Sequence, residues 1–66
     1  MKISLRAARI NANLSQRDVA KHMHKNLNTI TKWETGKVAI DPIYLKELCS
    51  LYNMPAEYIS LPSPLD

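Results

Sequence analysis

The chain has 66 residues, enough for one small domain and too few for a two-domain enzyme or a barrel with a buried multi-residue active site. Apolar residues make up 45% and charged residues 23%, so a core can form, while a single cysteine excludes an internal disulfide framework and most zinc sites. The net charge of +3 is unevenly spread. Residues 1–40 carry Lys2, Arg6, Arg9, Arg17, Lys21, Lys25, Lys32 and Lys37 against Asp18 and Glu34, for +6, and the rest of the chain carries −3. A basic half beside an acidic one suits a domain that turns one face to phosphates, although chance asymmetry on a solvated surface gives the same numbers.

Helical periodicity dominates the chain, and the strand signal is nearly absent. Ser4 caps a first helix running to about Asn13, with Leu5, Ala8 and Ala12 on its apolar stripe and Arg9 on the same face. Ile3 and Ile10 fall on the other side, either against the C-terminal helix or exposed. Ser15 opens a second helix through a capping box with Asp18, and Leu14 is placed to staple onto Val19. Val19, Ala20 and Met23 point inward. Asn26 caps a third helix to about Thr35, with Ile30 and Trp33 inward and Gly36 as its left-handed stop.

Asp41-Pro42 caps a fourth helix whose stripe is Leu45, Leu48, Cys49 and Tyr52 and whose left-handed end is Asn53. Pro55 opens a short fifth helix that turns Tyr58 and Ile59 inward. The expected architecture is therefore all-α: five short helices in a domain over residues 1–59, followed by a Pro-containing tail over 60–66. No secretory segment and no membrane-length apolar run is visible, and a lone thiol suits a reducing compartment, so the expected location is the cytoplasm.

A helix pair joined by three residues is a helix-turn-helix candidate, although many bundles contain such a pair. The third helix says more. With Ile30 and Trp33 inward, its outer side presents Asn28, Thr31, Lys32 and Thr35, flanked by Leu27 and Thr29, with no acidic residue. An amide can pair with adenine, an amine can reach guanine, and methyl-bearing groups can touch thymine in a major groove. An ordinary solvated helix face also carries such residues.

Residues 5–59 resemble the Cro/phage-repressor type of helix-turn-helix domain, a lambda-repressor-like fold. The residues that carry the resemblance are Arg9, Leu14-Ser15-Gln16, Ala20, Met23, Ile30, Glu34-x-Gly36-Lys37 and Asn53-Met54. The resemblance implies sequence-specific binding to double-stranded DNA, often as a homodimer on repeated half-sites. It implies base readout by Leu27, Asn28, Thr29 and Lys32, and a phosphate contact by Gln16. Arg17, Lys37 and the amine of Lys25 are candidates for further backbone contacts. Arg9 and Glu34 match a pair that bridges the first and third helices, and each lies on an apolar stripe where an unpaired charge is costly. Three positions depart from the pattern: His24 stands where the family usually has glycine in the turn, Lys25 where an apolar residue is usual, and the apolar Leu27 at a readout position often held by a polar residue.

Other chemistry is poorly supplied. His22 and His24 diverge at i, i+2 spacing, so no metal is expected, and Cys49 reads as a small core residue. Without a glycine-rich phosphate loop or a nucleophile–base pair, the chain reads as a non-enzyme with no cofactor. A protein partner stays open. Tyr44, Leu51, Tyr58 and Leu61, with Leu65, supply apolar surface for a dimer or another partner, or else cover the edge of the core. The expected function is a transcriptional regulator of bacterial or phage type that acts by occupying an operator. The alternative is an antirepressor or antitoxin-like protein-binding module on the same fold.

Overall fold

The computed structural model describes residues 1–62, so Leu65 and the end of the expected tail lie outside the described residues. Four α-helices form: α1 (Leu5–Asn11), α2 (Gln16–Met23), α3 (Leu27–Thr35) and α4 (Pro42–Tyr52). Local chemistry sets most of their ends. The Ser4 hydroxyl accepts from the Ala7 N–H at 3.0 Å and starts α1. Ser15 and Asp18 form the reciprocal capping box, with the Ser15 N–H donating to Asp18 Oδ2 at 2.9 Å and the Asp18 N–H to Ser15 Oγ at 3.0 Å. Asn26 and Asp41 occupy the cap positions of α3 and α4 with extended backbone, but neither side chain makes a capping hydrogen bond. The capping bonds expected of them are therefore not made.

Left-handed residues separate the elements. Asn13 (φ 60°), His24 (φ 56°) and Asn53 (φ 54°) adopt that region despite carrying side chains. His24 thus takes the conformation that glycine holds at lower steric cost. Gly36 ends α3 at φ 81°, and a Cβ placed there would lie 2.9 Å from Cβ of Pro62. The first residues of the tail therefore pack on the end of α3, and an added methyl group would strike the proline ring.

The fifth helix does not form. Beyond Pro55 there is one 3₁₀ turn, Ala56–Tyr58, and then an extended pair, Ile59–Ser60. That pair, β2, runs parallel to β1 (Ile3–Ser4), with Ile3 opposite Ile59 and Ser4 opposite Ser60. Three residues cannot offset the cost of nucleating an α-helix, and the β-branched Ile3 and Ile59 favour extended backbone. Ile59 is buried as expected, but Tyr58 is 46% exposed instead of turning inward. Ile3 finds its partner in the strand, and Ile10 is exposed. α1 stops two residues short of Asn13.

The core gathers Leu5 and Ala8 of α1, Val19, Ala20 and Met23 of α2, Ile30 and Trp33 of α3, Leu48 and Tyr52 of α4, and Ile59 of β2. All four helices and β2 contribute, so α2 and α3 are fixed against the scaffold as well as against each other. Arg9 is the one buried charged residue among the described residues.

Candidate nucleic-acid interface

The buried guanidinium of Arg9 fixes the position of α3. Its Nε donates to Glu34 Oε2 at 2.7 Å, its Nη2 to Glu34 Oε1 at 3.4 Å, and its Nη1 to the Leu14 carbonyl at 2.9 Å. The two side chains are only 10% and 5% exposed, so each charge is satisfied by the other at a site from which water is largely removed. Gln16 extends the chain of contacts. Its Nε2 donates to Glu34 Oε1 at 3.0 Å, and its Oε1 lies 3.3 Å from the Thr31 hydroxyl. One amide thus ties the first turn of α2 to two successive turns of α3, while Arg9 ties α1 to the same carboxylate. The Arg9 bond to Leu14 also holds the chain just beyond the left-handed Asn13.

The opposite flank of α3 leans on α4. The rings of Trp33 and Tyr44 stack with centroids 5.5 Å apart at 29°. The Lys25 ammonium lies 4.3 Å from the Tyr44 ring centroid and donates to the Tyr44 hydroxyl at 3.0 Å. Tyr44 is therefore half-buried against the core and engaged by Lys25, and Leu51 is half-buried as well. Of the four residues expected on an apolar partner surface, Tyr58 and Leu61 are the two that stand well out, at 46% and 44% exposure.

Between these supports the outer edge of α3 is open. Asn28 and Lys32 are exposed, Leu27 is 39% exposed, and Thr29 is half-buried. The Thr31 hydroxyl sits between Gln16 Oε1 and the Leu27 carbonyl, and the Thr35 hydroxyl donates to the Thr31 carbonyl at 2.9 Å. These two threonines of the outer face are thus turned to the helix and to Gln16. Arg17 and Lys37 are exposed near the two ends of this surface, Arg17 on α2 and Lys37 just after α3. At nine residues, about 14 Å long, α3 is of a size to lie in a major groove about 12 Å wide.

An open cleft of about 470 Å³ adjoins the start of α3, lined by Arg6, Arg9, Ser15, Gln16, Arg17 and Leu27. Arg6 is the residue here that sequence reasoning left unassigned. The signal was its position one helical turn before Arg9, which puts it on the neighbouring flank of α1. The Trp33–Tyr44–Lys25 contact left no such signal, because it joins three elements distant in sequence.

Three titrating groups are shifted by their surroundings. Burial, reinforced by the Glu34 carboxylate, pushes the Tyr52 hydroxyl up to about 12, so it stays a neutral phenol in the core. Burial likewise raises the free Cys49 thiol above its ordinary range. Asp18 moves the other way, because hydrogen bonds from Ser15 favour its carboxylate. No helix among the described residues is long and apolar enough to cross a membrane.

The comparison with protein families agrees with this geometry. The model of a family described as Helix-turn-helix matches residues 5–59. No curated protein and no solved structure matches the chain.

Proposed function

Because the chain belongs to the Cro/repressor-type helix-turn-helix family, a family of DNA-binding transcription regulators, we propose that it recognises a specific duplex sequence with α3 and regulates transcription by occupying that site. The observation that carries this reading is the exposed edge of Leu27, Asn28 and Lys32 on a helix anchored from behind by Glu34 and Trp33. Asn28 offers an amide for adenine, Lys32 an ammonium for guanine, and Leu27 and Thr29 carbon for a thymine methyl. Arg17 and Lys37 meet backbone phosphates on either side, which fixes register without reading sequence. Gln16 supports α3 from inside and turns its remaining hydrogen-bonding capacity to a phosphate. Lys25 reaches one only by leaving Tyr44, so it is the weakest of the phosphate contacts. Arg9 and Glu34 aim the helix and touch no base. On a two-fold operator a homodimer places two copies of α3 about 34 Å apart along the groove.

The test is selection of bound duplexes from a random pool, followed by Asn28→Ala and Lys32→Ala. Each substitution is expected to reduce the preference for the selected site over random DNA, by roughly 1–3 kcal/mol for each good base pair lost, with the fold intact. A pool that yields no preferred sequence, or a preference untouched by both changes, rejects base readout by α3. The reading as a protein-binding module draws on the exposed Tyr58 and Leu61. It predicts no salt-dependent duplex binding together with a stable partner complex.

A further inference from the structure

Three guanidinium groups line the cleft at the start of α3, but they are not equivalent. Arg9 directs all three kinds of its nitrogens inward, two onto Glu34 and one onto the Leu14 carbonyl. Its charge is neutralised inside the fold. Arg6 and Arg17 are exposed, and among the described residues neither forms an ion pair. The two carboxylates closest to the cleft along the chain are committed elsewhere: Asp18 accepts from the Ser15 N–H, and Glu34 accepts from Arg9 and Gln16. The cleft therefore carries two positive charges, on two different helices, that no carboxylate among the described residues pairs with. Its floor includes Leu27, the first residue of α3.

We propose that Arg6, together with Arg17, clamps a backbone phosphate of the bound duplex at this cleft, so that α1 as well as α2 sets the register of α3 in the groove. This rests on the DNA-binding reading above and adds a contact and an element to it. Leu27 joins the base-reading edge to the cleft, so a duplex seated on α3 brings one of its sugar–phosphate strands over the cleft wall. Guanidinium groups suit that position, because their planar donors match two phosphate oxygens at once. Arg6 thus takes over the role that the sequence suggested for Lys25, whose ammonium lies on Tyr44. A phosphate held there carries no sequence information, so Arg6 contributes affinity and register and not base choice.

The experiment measures affinity for a random 20-base-pair duplex across a salt series, using the wild-type chain, Arg6→Ala, Arg6→Lys and, as a control outside the cleft, Lys46→Ala on α4. Arg6→Ala is expected to lower the slope of log affinity against log salt by about 0.9. Its loss of affinity between 50 and 200 mM salt is then about 3.5-fold smaller than that of the wild type. Arg6→Lys restores most of the slope, and Lys46→Ala leaves it unchanged. The preference for a selected site over random DNA stays the same in Arg6→Ala, unlike in Asn28→Ala. An unchanged slope in a folded Arg6→Ala chain, shown by an unaltered thermal transition, overturns the clamp and leaves the DNA-binding reading standing. An equal drop in Lys46→Ala overturns it too, since the effect is then one of net charge. Inorganic phosphate that binds the wild type but not Arg6→Ala, and leaves duplex affinity unchanged at matched ionic strength, assigns the cleft to a free anion and rejects the backbone contact. A wild-type chain that binds no duplex at any salt rejects the underlying reading itself.

Discussion

Where α3 faces α1 and α2, it is held by directed polar bonds: Arg9 and Gln16 converge on Glu34, and Thr31 closes onto Gln16. Where it faces α4, it is held by area, with Trp33 stacked on Tyr44 and Lys25 laid over the same ring. The two supports do different work. Stacked rings stabilise through burial and tolerate small sliding motions, whereas a carboxylate gripped by a guanidinium and an amide loses its bonds over a few tenths of an ångström. The polar side thus sets the pitch and azimuth of the helix, and the aromatic side supplies the stability that lets a small domain carry a buried charge pair.

Four changes break or sharpen that contrast, from the largest expected effect downward. Trp33→Ala should cost about 3–5 kcal/mol, because a large buried ring leaves a cavity. For 66 residues with a total stability on the order of 3–10 kcal/mol, this removes most of the folded population, as urea unfolding will report. Glu34→Ala should cost a comparable or slightly smaller amount, about 3–5 kcal/mol, by stranding the Arg9 charge. Replacing Glu34 and Arg9 together by leucine and methionine should recover much of that loss while weakening the preference for a selected DNA site. Full recovery of both stability and preference would show that the pair does not aim α3. Glu57→Ala, on the exposed 3₁₀ turn, should stay within about 0.5 kcal/mol and serves as the reference.

Gly36→Ala comes next, at more than about 1 kcal/mol, since alanine is strained at positive φ and its methyl meets Pro62. Adding Pro62→Gly should relieve the steric part and leave the conformational part. An unchanged melting temperature in Gly36→Ala would show that the tail does not rest on the end of α3. Ser15→Ala is the smallest of the four and exceeds only the Glu57→Ala reference, at about 1 kcal/mol for the lost cap as read by urea unfolding.

The same capping box gives a pH signature. Ser15 holds the Asp18 carboxyl below its usual range, so its contribution is present above the unfolded-state pKa and is lost as pH falls through the lower folded one. Melting temperature measured against pH should therefore fall less steeply on the acid side in Asp18→Asn than in the wild type. Parallel curves would exclude Asp18 as a source of acid sensitivity.

The starts of the four helices, and the ends of α2, α3 and α4, were legible because their signals are local. A serine hydroxyl three residues before an N–H, a proline at a first turn and a glycine at a last one act within a single turn of chain. The fifth helix was misread for the converse reason. Whether Ile59 continues a helix or extends depends on Ile3, 56 positions earlier in the chain, lying beside it. Arg9 and Glu34 could be paired on paper because both sat on apolar stripes, but the link of Gln16 to Glu34 and the claim of Tyr44 on Lys25 had no such mark. Arg6 looked like any solvated arginine until the fold placed Arg17 and Leu27 around the same cleft.

By itself the sequence determined the helical class, the polar edge of α3 and the family, since periodicity, caps and motif spacing are properties of neighbouring residues. Beyond the Arg9–Glu34 pair, which both apolar stripes already marked, the tertiary structure alone decided which charges are spent and which remain. Arg9 is neutralised within the fold and Lys25 rests on a tyrosine ring, while Arg6 and Arg17 keep their charge at an open cleft. A charge is silenced by whatever lies within a few ångströms of it, and only packing brings distant parts of a chain that close.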